Sequence, residues 1–183
     1  MKLNAKYLNK IIESALDDFF KAEVNSILDD VSERNLCARL AMCFENRMKA
    51  VGLVGYYADA EYNRKQRGQV KTIVNGNMKV VSITCDLIIH SRGEIIAKDN
   101  LIAIEMAKPN KSLADMQDDR NRLMALTKAS YDGVWSNDGT AHPEHVCGYV
   151  KGIFLIVDRH ARQAHLESYA HGAVSKPHQV ISF

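Results

Sequence analysis

Asp86 and Glu105 are each embedded in an aliphatic run, Cys85-Asp86-Leu87-Ile88-Ile89 and Leu101-Ile102-Ala103-Ile104-Glu105-Met106-Ala107. An ionised carboxylate in such a setting is costly unless a counter-charge meets it. Both runs read as short β-strands, and along a strand the side chains alternate between faces. Leu101, Ala103, Glu105 and Ala107 therefore share one face, and Thr84, Asp86, Ile88 and His90 share another. Where those faces meet, the two carboxylates converge, and a divalent cation between them would supply the compensation. Mg²⁺ suits the role, because it takes oxygen ligands and few of them from protein. Position 107 points at the same site and carries only Ala107, while Lys108 points to the opposite face.

Asp86, eighteen intervening residues and then Glu105-Met106-Ala107-Lys108 resemble the core of the PD-(D/E)XK nuclease superfamily. Further stretches resemble a subgroup of small stand-alone bacterial nuclease-like proteins: Ser32-Glu33-Arg34 with Ala38-Arg39-Leu40-Ala41, then Asp59-Ala60-Glu61-Tyr62-Asn63-Arg64, then Cys85 to His90. The ordered set spans residues 32 to 158. The resemblance implies a restriction-endonuclease-like αβββαβ core, with a mixed central sheet flanked by helices. It also implies metal-dependent hydrolysis of a phosphodiester with Mg²⁺ or Mn²⁺ as cofactor. Asp86 and Glu105 would ligate the metal with the backbone carbonyl of Met106, and a third acid would come from the helix near residue 33. Glu33 and Glu45 are the candidates for it. The implied partner is nucleic acid, DNA in the first place, and the implied role is defence against phage or mobile DNA.

Two positions depart from the pattern. Cys85 stands where the family usually has Pro, and Ala107 stands where it has the catalytic Lys. A lysine there would orient or deprotonate the attacking water and balance developing charge. With Ala107, the ligands remain and cleavage is expected to fall by orders of magnitude. Ala107 is read either as an inactivating change in an active nuclease or as the mark of an inactive member. In a third reading, Lys108 or Lys71 takes over, and strand geometry argues against Lys108. The competing function is a catalytically inactive module that binds nucleic acid or a protein partner on a nuclease fold. A last alternative pairs Asp86 and Glu105 with Lys71 or Arg64 in plain salt bridges.

The elements that position the pair follow from periodicity. The chain of 183 residues suits a single domain, with an N-terminal helical extension over 1–31, a core over 32–158, and a C-terminal strand and tail over 159–183. A formal charge of +2 excludes a strongly acidic protein and leaves room for a local basic patch. No apolar run approaches the length of a membrane span, and no leader is recognisable at the N-terminus. Four unpaired-looking cysteines fit a reducing, cytoplasmic setting. Oligomeric state is left open, and the resemblance admits a homodimer or a protein partner.

Residues 5–22 are amphipathic at helical spacing, and a second helix is expected from the N-cap Ser32 to Gly52. Residues 53–62 read as a strand, with Asp59 and Glu61 on one face, near the metal or near basic side chains. Arg64, Lys65, Arg67, Lys71 and Lys79 form the densest basic stretch, and with Arg34 they are the candidates for phosphate contact. The same stretch reads equally as a solvated hairpin tip with a turn at Asn75-Gly76-Asn77. A third helix opens on Ser112, with Leu113, Met116, Leu123, Met124 and Leu126 as its buried side and Asp119 and Arg122 on its surface. Residues 129–149 read as a loop in which His142, His145 and Cys147 lack the second ligand pair a structural zinc wants. Trp135 would anchor that loop or stack on a base. Residues 149–158 form a central strand, Gln163 to Tyr169 an amphipathic end to the fold, and 171–183 a loosely held tail.

Overall fold

The computed structural model describes residues 5–61, 72–74, 80–82, 84–129 and 147–183, the short pieces 72–74 and 80–82 by their backbone alone. Helix α1 (Ala5–Leu28) runs six residues beyond the periodic stretch. The polar run at its end argues for a stop, but Glu23 is buried with Ile27 behind it. Arg39 Nε donates to Glu23 Oε1 at 2.6 Å and Ser26 Oγ to Oε2 at 2.9 Å. The acid is thus neutralised by a residue sixteen positions away.

Helix α2 (Glu33–Ala50) begins where expected, the backbone N–H of Asn35 donating to Ser32 Oγ. It joins the α1 core through Leu36, Leu40, Phe44 and Met48, each at most 2% exposed. Burial of such side chains stabilises by about 1.5–3 kcal/mol apiece.

Six strands form one mixed sheet, in the order β1 (Tyr57–Ala60), β4 (Leu87–His90), β5 (Asn100–Ala107), β6 (Lys151–Asp158), β7 (Gln163–Ala170) and β8 (Ala173–Ser182). β2 (Thr72–Val74) and β3 (Val80–Ser82) pair antiparallel as a separate ribbon. Only the β5–β6 pairing in the main sheet is parallel. Helix α3 (Leu113–Leu126) lies in the crossover between these two strands. The sheet has a core on each face. Leu87, Ile89, Ile102, Ile104, Met106, Ile153 and Leu155 pack with α1 and α2. Ile88, Ala103, Ala107, Phe154 and Tyr169 pack with Met116, Leu123 and Leu126 of α3.

Three expectations are corrected. Leu101 belongs to the α1–α2 side and not to the face of Glu105, because the β4–β5 register slips from Ile89↔Ile102 to His90↔Asn100 and skips it. Leu113 is 84% exposed, and the buried side of α3 begins only at Met116. The tail 171–183 is strand β8, hydrogen-bonded to β7 along its length. His171 and Gly172, with φ of 53° and 75°, make the tight turn that folds it back. Pro177, which suggests a loose tail in sequence, falls in the edge strand where the register shifts, a place that needs no proline N–H.

Candidate functional site

The β4–β5 register pairs Leu87 with Ile104, so the next step along both strands sets Asp86 beside Glu105. Asp86 lies just before β4 and its Oδ2 accepts the backbone N–H of Met106 at 2.8 Å. Glu105 is 1% exposed, on the α3 side of the sheet with Ala103 and Ala107. Asp86 and Glu105 are thus neighbours across the two strands, close enough for the Asp86 charge to bear on the Glu105 carboxyl.

The counter-charge arrives from an unexpected element. Arg122 Nη1 donates to Glu105 Oε1 at 2.7 Å and to Asp119 Oδ1 at 3.2 Å, and Lys111 Nζ donates to the other oxygen of Asp119. The sequence places Asp119 and Arg122 on the surface, yet Asp119 is 3% exposed. Leu123 and Leu126 on the same helix face pack in the α3-side core, and Arg122 there meets Glu105. Arg64 and Lys71, the partners in the plain salt-bridge alternative, lie outside the described residues. So do Lys65, Arg67 and Lys79 of the basic stretch, and Trp135, His142 and His145 of the later loop.

One guanidinium shared by Glu105 and Asp119 does not offset burial plus the neighbouring Asp86 charge, and the Glu105 carboxyl is pushed up to about 8. Arg122 meanwhile is held in its charged form, since Glu105 and Asp119 outweigh its own desolvation. Burial also works against the ammonium of Lys111, but the hydrogen bond to Asp119 and the charges of Asp119, Asp86 and Glu33 raise it above the usual lysine range. The thiols of Cys37 and Cys85 are pushed well up, first by burial and then by Asp86 and Glu105. All four cysteines are free, and these two are inert as nucleophiles.

Asp86 opens onto a cleft of about 450 Å³ whose walls include Glu33, Arg34, Cys37, Glu61 and Lys108. Glu33, at the start of α2, faces this cleft and its Oε1 accepts the backbone N–H of Lys108 at 3.1 Å. Glu45, the alternative third acid, sits at the far end of α2, where it accepts the N–H of Ala58 and fixes β1. Lys108 turns away from the carboxylates, as alternation requires. Its Nζ donates to Asp30 Oδ1 and to the carbonyl of Val31, both at 2.8 Å.

Arg34 stands at the cleft edge and pairs with Glu61 at 2.6 Å. Asp59 is drawn to the basic groups and not to the cleft. Arg92 Nε and Nη2 donate to its two oxygens at 2.8 and 2.6 Å, and His90 Nε2 lies 2.9 Å from Oδ2. Burial opposes its ionisation, but the bonds to His90 and Arg92 hold its carboxyl well below the usual range.

Among the described residues, no three carboxylate, imidazole or thiol side chains close into a set that could hold a metal by themselves. No helix among them is long and apolar enough to cross a membrane. No known protein family, no curated protein and no solved structure matches the chain. The functional reading therefore stands on the geometry and chemistry of the residues. Lys111, Asp119 and Arg122 are the residues that sequence reasoning missed. The available signal was their spacing, since 119 and 122 share a helix face with Leu123 and Leu126.

Proposed function

We propose that the chain is a metal-dependent phosphodiester hydrolase scaffold of the PD-(D/E)XK type, impaired in cleavage by Ala107. The observation that carries the reading is the charge balance at Glu105. A buried carboxyl beside Asp86, raised to about 8 with an arginine already on it, is costly to ionise without further positive charge. A divalent cation would supply that charge. The donor set fits one: two converging carboxylates offer hard oxygens, and Mg²⁺ keeps much of its shell as water. Asp86 and Glu105 would hold it with the Met106 carbonyl and water, while Glu33, the expected third acid, stands on the cleft wall and accepts the Lys108 N–H. The succession α2, β1, β4, β5, α3, β6 is in keeping with the αβββαβ core.

When bound, the cation would polarise the phosphate and lower the pKa of a coordinated water. The chain's own residues then decide the rate. Arg122 competes with the cation for Glu105 and sets how tightly metal is held. Ala107, closed into the α3 core, supplies no ammonium. Lys111 is a fixed positive charge, held by its bond to Asp119 with Asp86 and Glu33 adding to it. Arg34 at the cleft mouth, and the stretch holding Arg64, Lys65, Arg67 and Lys71, are proposed to meet the phosphates of a DNA substrate.

The test is a paired assay of this chain and its Ala107→Lys variant, with Mg²⁺, with Mn²⁺ and with EDTA, on plasmid, linear duplex, single-stranded DNA and RNA. Metal-dependent cutting that appears or rises by at least about a hundredfold with the lysine supports the reading. No cutting by a folded variant that binds metal would move the function to the second reading, an inactive binding module on this fold. One observation favours that alternative: the Arg122–Glu105 pair already neutralises part of the site without a cation.

A further inference from the structure

A second cavity lies between α1 and strands β6 to β8. It measures about 460 Å³. Ile12, Leu16 and Phe20 of α1 form one wall at helical spacing, and Ile153 and Leu166 of the sheet form the floor, all at most 6% exposed. Glu13, Asp17 and Lys21 stand around its α1 rim, and Asp17 is already paired with Lys21 at 2.7 Å.

Lys151 breaks this apolar lining. It is the first residue of β6, 8% exposed, on the same face as Ile153, and it lines the cavity. Its ammonium has no hydrogen-bond or ion-pair partner among the described residues. The nearest charge that bears on it is of its own sign: Lys176 of β8 also lines the cavity, and β8 carries it next to Ser168. Burial and then Lys176 push the Lys151 ammonium below the usual lysine range. The aliphatic stem is buried while the ammonium opens into the cavity, and no described residue supplies it a counter-charge there. The amine is thus placed to meet an anion from outside the chain.

We propose that this cavity is a binding site for an aliphatic monocarboxylate, with its carboxylate on Lys151 and Lys176 and its chain along α1. Charge selects the head group, because Lys151 and Lys176 lie close enough to act on one another and no acid is felt by Lys151, Asp17 on the rim being paired with Lys21. A single carboxylate suits this pair of amines, whereas a phosphate would want more donors than Lys151, Lys176 and Ser168 present. The apolar walls select the body, and the volume suits a chain of about eight to twelve carbons. Binding at this site is independent of the carboxylate pair on the opposite side of β5.

The experiment is calorimetric titration of the full chain with octanoate, decanoate and dodecanoate, and with 1-decanol as the uncharged counterpart. Affinity should rise about fourfold per added methylene until the cavity fills. Lys151→Met should weaken decanoate at least about tenfold and leave decanol unchanged or tighter. A second readout needs no variant: decanoate should protect Lys151 from acetic anhydride at about pH 8 in the unaltered chain, followed by peptide mass spectrometry. Decanoate bound equally by Lys151→Met and parent would overturn the proposal, and so would labelling of Lys151 unaffected by decanoate. Sedimentation showing that the cavity is closed by a second copy of the chain, with decanoate unable to compete, would overturn it too.

Discussion

Arg122 reaches Glu105 from α3, seventeen residues further along the chain, and the two meet at 2.7 Å under the sheet. Removing only one member of a buried pair leaves the other charge stranded, at a cost of about 3–5 kcal/mol. Above about pH 8, where Glu105 is ionised, Arg122→Met should lose stability on that scale in urea denaturation, and Glu105→Gln in the same chain should recover much of it. Mg²⁺ should stabilise Arg122→Met more than the parent, because the guanidinium no longer competes for the carboxylate. Equal stabilisation of both would separate the cation from Glu105.

The pH dependence follows from the same carboxyl. Glu105 sits at about 8 in the folded chain against an ordinary 4.5, so the folded state holds this proton more tightly than the unfolded one. Its contribution to stability is complete below pH 4.5, is lost as pH rises towards 8, and is constant above. Glu105→Gln removes that titration. The difference in unfolding free energy between Glu105→Gln and the parent should therefore grow in favour of glutamine across this window. A divalent cation favours the ionised form, so Mg²⁺ stabilisation of the parent should increase over the same range. A parent whose pH profile parallels the glutamine variant would remove the buried carboxyl from the account.

Lys108 has a structural task. Its ammonium ties the end of β5 to Asp30 and Val31, in the turn between α1 and α2, where Asp30 takes a φ of 60°. Lys108→Met should lower the urea midpoint only slightly, because solvent screens a pair whose acid is well exposed. In the Ala107→Lys background it should leave the metal-dependent cleavage rate within about twofold of its parent. A hundredfold loss there (on the order of what an acid–base group contributes), with the fold intact, would make Lys108 the ammonium of the site.

The local parts of this fold were legible. Ser32 and Ser112 cap their helices, and the alternation in β5 put Glu105 and Ala107 on one face and Lys108 on the other. What alternation could not carry was the slip at Ile89–His90, which moved Leu101 to the other core. Nor could local chemistry show which charges are buried. Glu23 and Asp119 look solvated until Arg39 and Arg122 are brought to them by packing. The tail failed for a related reason: Gly172 and Pro177 read as loop formers, whereas an edge hairpin uses the first as its turn and tolerates the second.

Gly152 fixes how closely α3 lies on β6. A Cβ built there would stand 3.0 Å from both Thr127 Cγ2 and Tyr169 Cβ, and 3.4 Å from Leu123 Cδ2. None of these can swing away freely. Tyr169 is pinned by its hydroxyl, which donates to Glu167 Oε2 at 2.7 Å, and Thr127 Oγ1 donates to the carbonyl of Leu123 at 2.8 Å. Gly152→Ala should therefore cost about 1–3 kcal/mol through overpacking. Thr127→Ser deletes the clashing methyl and keeps the hydroxyl bonds, so the double variant should be more stable than the sum of the two single changes. Because α3 also presents Arg122 to Glu105, Gly152→Ala should flatten the pH dependence that Glu105 confers, while Thr127→Ser should restore it. Denaturation of the four chains on either side of the Glu105 titration, at about pH 5 and about pH 8, checks both statements. A Gly152→Ala chain as stable as the parent would show that α3 rides on the sheet with slack to spare.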